Sequence, residues 1–286
     1  MTAYNTSSRM RIHPGLPLLV AILIALVALQ ACRREGCTDA KAVNFDDKAR
    51  TDDGSCEYSS PAFILHVKHT VDELPLMLLS KEYLNVTQSK YTVHRLQYYL
   101  SHIELKGAEL STAKVPFVYT DYQEGKNYTV SIPEAKEGIY DSLVFVFGLP
   151  GGLNKSHELP NDIENINMQW PDMMGGGYHY MKFEGRFTDT DSRERAFNIH
   201  LGRLVTDTLI TNPMLRFAFP LNKLEYQGKT WKLRLNMNLN GWFDGPTPYD
   251  LNEFGGGIMM NHKAQRVLKE NGMDLFELIE QWELAE

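Results

Sequence analysis

The 286-residue chain is poor in cysteine, has no surplus of basic residues and lacks the short motifs that mark common catalytic sites. Its 29 Lys and Arg stand against 36 Asp and Glu, giving a formal net charge of −7 with no basic run. Because nucleic-acid binding needs clustered Lys and Arg, we expect no nucleic-acid partner. G-x-S-x-G, P-loop, dinucleotide-binding and H-E-x-x-H motifs are all missing. The sequence therefore gives no strong signal of hydrolase or transferase chemistry, and we do not expect an enzyme in its own right.

Long hydrophobic runs are also scarce, and the longest lies near the N-terminus. Residues 16–29 carry no charge and follow two arginines. A run of about 14 residues is too short to span a bilayer comfortably but is typical of a signal peptide. The run ends in Leu29-Gln30-Ala31-Cys32, which resembles a bacterial lipobox. We therefore predict a lipoprotein signal peptide over residues 1–31 and lipidation of Cys32. The protein is then expected in the cell envelope, anchored to a membrane such as the outer membrane, with its body in the periplasm or at the surface.

The other two cysteines, Cys37 and Cys56, form an even pair. An extracytoplasmic compartment is oxidising, so a disulfide between them is predicted. They lie in a polar segment whose GCTD…DDGSC pattern resembles a short module of secreted and surface proteins. We interpret residues 32–60 as a disulfide-linked spacer module and residues 61–286 as the main domain.

The main domain has the alternating hydrophobicity of β-strands. In residues 63–71, Phe63, Leu65, Val67 and His69 share one face. Residues 231–239 alternate in the same way. Further strand-like runs cover residues 90–107, 115–122, 128–132, 141–149, 178–187, 196–202 and 214–221. This density of strands predicts an all-β fold, an antiparallel β-sandwich of the Ig-like or Greek-key type.

Two features depart from the regular strand pattern. Residues 262–283 have a helical pattern, interrupted at Asn271-Gly272, so a short C-terminal helical segment is expected. Residues 149–177 and 244–257 form long loops rich in Gly and Pro. Loops of this length in a compact domain are usually functional.

Histidine is the most promising source of metal ligands, since all but one of the nine histidines follow the predicted signal peptide. His69 lies on the apolar face of its strand, where it could be a hydrogen-bonded core residue or a ligand. His179 directly follows the Gly-Gly-Gly-Tyr sequence and alternates with Met181. His200 lies on the face opposite to its apolar neighbours. Because these histidines are far apart in sequence, any site must be assembled from different strands.

Six ordered segments together are similar to one known family. These are HTVDELPL (69–76), LQYYLSHIEL (96–105), MQWPDMMGGGYHYMKFEG (168–185), FNIHLG (197–202), LRLNMNLNGWFDGP (233–246) and NHKAQRVLKENGMDLF (261–276). Their order and spacing resemble the MbnP-like copper-binding protein family, whose members are extracytoplasmic β-sandwich proteins and often lipoproteins. The similarity covers roughly residues 62–280 and leaves the Cys37–Cys56 module outside.

The resemblance implies that the protein binds one copper ion, Cu⁺ or Cu²⁺, through histidine. The His-Thr-Val motif corresponds to His69 and the F-x-x-H-x-G motif to His200, and His179 is the third candidate ligand. Trp170 corresponds to the tryptophan that some members carry as kynurenine. A MauG-like di-haem cytochrome peroxidase is the partner associated with that oxidation. Asn198 or Glu184 is expected to fix a histidine tautomer.

Two alternatives are compatible with the same residues. The first is a surface-exposed interaction or carbohydrate-binding β-sandwich module without metal, in which Tyr178 and Trp242 lie on exposed loops. The second is a redox enzyme that uses copper for oxygen chemistry, which requires an open coordination position beside a substrate cleft.

Overall fold

The structure is a computed structural model that describes residues 34–40, 42–56 and 61–284. The chain divides into two compact units, Met1–Ser60 and Pro61–Glu286. The predicted signal peptide and the predicted lipidation site, Cys32, lie outside the described residues. In the described part of the chain, no helix is both long and apolar enough to cross a membrane.

The described residues of the first unit, 34–40 and 42–56, contain two short strands. Its strands β1 (Glu35–Gly36) and β2 (Thr51–Asp52) pair in parallel. The predicted disulfide is confirmed, since Cys37 and Cys56 are bonded to each other. The disulfide closes a loop with a sequence separation of 19, which limits the freedom of the unfolded segment.

The second unit consists mainly of strands with three short α-helices. The helices are α1 (Ile163–Asn167), α2 (Leu251–Phe254) and α3 (His262–Asn271). The strands are β3 (Phe63–Val71), β4 (Leu74–Pro75), β5 (Glu82–Leu84), β6 (Lys90–Lys106), β7 (Val115–Asp121), β8 (Tyr128–Ile132), β9 (Gly138–Phe147), β10 (His179–Thr188), β11 (Glu194–Gly202), β12 (Leu204–Val205), β13 (Ile210–Thr211), β14 (Leu215–Tyr226), β15 (Trp231–Asn238), β16 (Gly256–Gly257) and β17 (Phe276–Glu283).

These strands form two main sheets. An eight-stranded sheet has the order β14-β9-β6-β10-β11-β16, with β5 and β7 also paired to β6. A five-stranded sheet has the order β17-β15-β3-β4, with β8 also paired to β3. Most pairs are antiparallel, as predicted, but β3 and β15 pair in parallel, so the five-stranded sheet is mixed. β11 and β16 also pair in parallel, at an edge of the eight-stranded sheet.

The core lies between the two sheets because each presents an alternating row of apolar side chains to the other. Phe63 of the five-stranded sheet contacts Tyr140 of the eight-stranded sheet, with ring centroids 5.2 Å apart. Phe147 and Phe276 make a similar contact at 6.2 Å. Residues from both sheets belong to one continuous buried cluster. The all-β sandwich predicted from the sequence is therefore confirmed.

The C-terminal segment is only partly helical, which corrects the expected helix over residues 262–283. Helix α3 ends at Asn271, and residues 276–283 form β17. β17 pairs antiparallel with β15. It thereby covers an edge of β15 that would otherwise expose unpaired backbone groups. The spacing of its apolar residues, such as Phe276, Leu278 and Ile279, is compatible with the period of a helix and with that of a strand. The pairing with β15 therefore decides the conformation.

Candidate metal centre

A glycine-rich turn shapes the segment that precedes β10. Gly175, Gly176 and Gly177 all have positive φ, at 113°, 65° and 86°, a region that other residues rarely adopt. Across the base of this turn, the backbone N–H of Trp170 donates a hydrogen bond to the carbonyl of Gly177 at 2.9 Å. The chain thereby folds back on itself and places Trp170 beside the start of β10.

Trp170 is buried against the end of β11. Its side chain is 2% exposed, and its indole N–H donates to the carbonyl of Met174 at 3.3 Å. A Cβ atom at Gly202 would lie 2.4 Å from Cε3 of Trp170, so only glycine allows this close approach. Gly202, which ends the F-x-x-H-x-G motif, therefore makes room for the indole ring of Trp170.

A β-bulge turns His179 away from the core. The β10–β11 register shifts between His179 and Met181. Met181 points into the sandwich and is fully buried, whereas the His179 ring contacts Trp170 on the outer face, at 4.9 Å between centroids. His200 lies on the same outer face, with its ring centroid 5.1 Å from that of His179. The sequence-predicted residues Trp170, His179 and His200 are thus brought together.

The surroundings of His179 fix its tautomer. Its Nδ1 lies 3.0 Å from the carbonyl of Met168, which can only accept a hydrogen bond, so Nδ1 carries the proton. Nε2 then carries a lone pair, and among the described residues this buried atom has no hydrogen-bond partner. Burial lowers the pKa of His179 from 6.5 to about 3, which keeps the imidazole neutral.

The surroundings of His200 fix its tautomer as well, but with the proton on the other ring nitrogen. Its Nε2 donates to Oε1 of Glu184 at 2.8 Å, which leaves Nδ1 of the neutral ring with a lone pair. The hydrogen bond from His200 is the main reason that the pKa of Glu184 is lowered. Arg95 lies 3.1 Å from the same carboxylate. Of the two residues expected to fix a tautomer, Glu184 is the one in contact with a candidate ligand.

The third predicted ligand, His69, lies elsewhere. Its Nε2 is 2.7 Å from the hydroxyl of Tyr98, and its side chain is 4% exposed between the two sheets. Tyr98 faces the core together with its cross-strand neighbour Met181. The backbone of the eight-stranded sheet therefore separates His69 from His179 and His200. The expectation of one pocket shared by His69 and His200 is corrected accordingly.

The donor set is small but suits a transition-metal ion. Within the described ranges, no group of three or more His, Cys, Asp or Glu side chains converges as a preformed metal cage. His179 and His200 nevertheless offer two imidazole nitrogens from neighbouring strands, and Nε2 of His179 is buried with no hydrogen-bond partner in the part of the chain that the structure describes. Imidazole suits copper, zinc and nickel, and a carboxylate behind one ring is a common supporting arrangement. The residues therefore fit a nitrogen-ligated ion whose remaining ligands come from outside this pair.

The sequence is matched by a protein-family model over residues 60–260, and that model describes MbnP. The chain belongs to the MbnP family. This membership covers most of the sandwich unit, including Trp170, His179 and His200. It bears out the resemblance inferred from the six ordered sequence segments.

One solved structure is similar to this chain. MbnP from Methylosinus trichosporium has 14% sequence identity and a TM-score of 0.49. The similarity covers 79% of this chain and 99% of that one. Among curated proteins, none is similar enough to match.

The aromatic residues that supported the non-metal alternative are not on the surface of this MbnP family member. Tyr178 is 1% exposed and Trp242 is 0% exposed. Trp242 packs against Phe147 in the core, and the hydroxyl of Tyr178 accepts a hydrogen bond from the backbone N–H of Leu159. The expectation that both rings lie on exposed loops is corrected, because burial gives each a structural role.

Gly202→Ala is expected to disturb this site more than a glycine substitution in open space. The added methyl group meets Trp170, so we expect a loss of about 1–3 kcal/mol in the free energy of unfolding and a shift in tryptophan fluorescence. Gly152→Ala is the control, because a Cβ there meets nothing within 4 Å. Urea denaturation and fluorescence spectra check the prediction, and equal behaviour of the two variants would contradict it.

Proposed function

We propose that this protein holds one copper ion at His179 and His200. The observation that carries the proposal is the convergence of two imidazoles whose hydrogen bonds leave one nitrogen of each without a proton. Nε2 of His179 is the clearer case, since it is buried and the described residues offer it no partner. A buried lone pair without a donor is costly, and a metal ion would compensate for that cost.

Copper is favoured over other ions by the donor chemistry and by family membership. Neutral nitrogen donors bind divalent first-row ions in an order that peaks at copper. Membership of the MbnP family suggests a copper-associated function. The buried, neutral state of His179 also means that protons compete weakly with the metal near neutral pH.

The proposal places this copper protein in the cell envelope. Lipidation of Cys32 would anchor it to a membrane, and the disulfide of the first unit is consistent with an oxidising compartment. We further propose that Trp170 is the residue oxidised by a di-haem peroxidase partner, supported by its ring contact with His179. Mass spectrometry of the native protein should then show the mass increase of tryptophan-to-kynurenine conversion on the peptide that carries Trp170. Unmodified Trp170 in all native protein would contradict that part.

A competition titration tests the proposed copper binding. The purified protein is titrated with Cu(I) and with Cu(II) in the presence of a chelator of known affinity for each. We expect one tightly bound copper per chain. Failure of the protein to withdraw either ion from a weak chelator would overturn the proposal.

The carboxylate behind His200 gives a narrower prediction. Glu184→Gln keeps the shape of the side chain but removes the charge that orients and polarises the imidazole, so copper affinity should fall about tenfold. Glu194→Gln is the matched control, since this exposed carboxylate on β11 pairs with Arg186 instead. The same chelator competition measures both variants. Equal affinities would show that Glu184 does not support the site.

A further inference from the structure

Lys182 lies beside the two candidate ligands, His179 and His200. It follows Met181 on β10, faces outward and stands directly opposite His200 in the β10–β11 register. Side chains directly opposite each other in an antiparallel pair have Cβ atoms about 4.5–5.5 Å apart. Nζ of Lys182 donates a hydrogen bond to the carbonyl of Asn167, at the end of α1. The ammonium group is thus held on the same face as His179 and His200.

The fixed charges around the histidine pair have a positive sum. Lys182 and Arg95 each contribute one positive charge, while Glu184 contributes one negative charge. Histidine binds a metal through the neutral imidazole, so the ligand pair adds no negative charge to offset an ion. The positive charge of Lys182 already acts on His179, where it is one of the causes that lower the pKa of that ring.

We propose that Lys182 sets the preferred oxidation state of the site by favouring Cu(I) over Cu(II). This inference rests on the proposed function of the histidine pair. A nearby positive charge repels a divalent ion twice as strongly as a monovalent one, because Coulomb energy scales with charge. Lys182 is half-buried, which weakens solvent screening of this repulsion. Lys182 therefore acts as a charge that tunes the site, without touching the metal.

Variants that separate charge from shape provide the test. Lys182→Met removes the charge and keeps most of the length, whereas Lys182→Arg keeps the charge. Cu(I) and Cu(II) affinities are measured by chelator competition for the full chain and both variants, and the reduction potential is measured by redox titration. We expect Lys182→Met to increase the affinity for Cu(II) relative to Cu(I) about tenfold, a fall of about 59 mV for a one-electron couple. Lys182→Arg should retain the potential of the unmodified protein.

The outcomes distinguish this inference from the proposed function. If Lys182→Met changes both affinities by the same factor and leaves the potential unchanged, Lys182 is only a structural contact to Asn167, and the inference fails while copper binding stands. If Lys182→Arg shifts the potential as much as Lys182→Met, charge is not the cause and the inference also fails. If the unmodified protein binds no copper, the proposed function itself fails. Circular dichroism confirms that each variant is folded.

Discussion

Replacing both His179 and His200 with alanine is expected to lower copper affinity by more than about 100-fold. Loss of a group that merely supports a ligand costs about 10–100-fold, so loss of both ligands should cost more. Each single substitution should have a smaller but clear effect, because one imidazole remains. His179 is buried and its Nδ1 is held by Met168, so we expect the His179 variant to be the weaker binder of the two.

Two histidine variants serve as controls for this loss. His66 lies in the five-stranded sheet and stacks on Trp282, with centroids 6.3 Å apart, so His66→Ala should bind copper normally. His69→Phe tests the histidine to which the family resemblance assigned a ligand role, and it too should retain affinity. Chelator competition at neutral pH measures all variants. Loss of binding in His69→Phe with retention in the His179 and His200 double variant would contradict the account.

Acid should destabilise the metal-free protein strongly, because two buried histidines must remain neutral in the fold. The pKa values of His69 and His179 are each lowered from 6.5 to about 3, mainly by burial. In the unfolded state each ring takes up a proton below about pH 6.5, so unfolding becomes more favourable as the pH falls from there toward about 3. At about pH 4.5 each histidine should cost roughly 3 kcal/mol of the free energy of unfolding. A typical domain has only about 5–15 kcal/mol in total, so the loss is large.

His69→Phe separates the contribution of one of these rings. Phenylalanine suits a site lined by the rings of Tyr98, Tyr122 and Tyr128 and cannot take up a proton. The variant should therefore lose about 3 kcal/mol less than the unmodified protein between about pH 7 and pH 4.5. Urea denaturation of the metal-free proteins at both pH values measures the difference. An equal loss in both proteins would show that His69 does not stay neutral in the fold.

Much of the fold could be predicted because alternation along a strand is a local property. Buried and less buried residues alternate over residues 63–69 of β3 and over residues 232–238 of β15, which confirms the strands predicted there. The parallel pairing of these two strands could not be predicted. The hydrophobic pattern of a strand does not indicate whether it runs parallel or antiparallel to a strand that is distant in sequence. The prediction of a helix over the residues of β17 is wrong, because the spacing of its apolar residues is compatible with a helix as well as with a strand and the pairing with β15 selects the strand.

The candidate site was predictable in its residues but not in its arrangement. Alternation puts His200 on the face opposite to Phe197 and Ile199, but it does not indicate what lies on that face. His179 appeared to share a face with Met181, and only the bulge between them turns it toward His200. His69 has the environment of a core residue, and nothing local in the sequence distinguishes a tyrosine-bonded histidine from a ligand. Alternation with buried Met181 and Phe183 places Lys182 on the same face as Glu184, but a lysine on an outward face does not by itself indicate a functional role.

Crystallography of the copper-loaded protein with anomalous data at the copper absorption edge tests the central claim most directly. The account predicts a single anomalous peak within bonding distance of Nε2 of His179 and Nδ1 of His200, with Glu184 still hydrogen-bonded to Nε2 of His200. A peak beside His69, between the two sheets, would contradict it, as would copper bound only at scattered surface side chains.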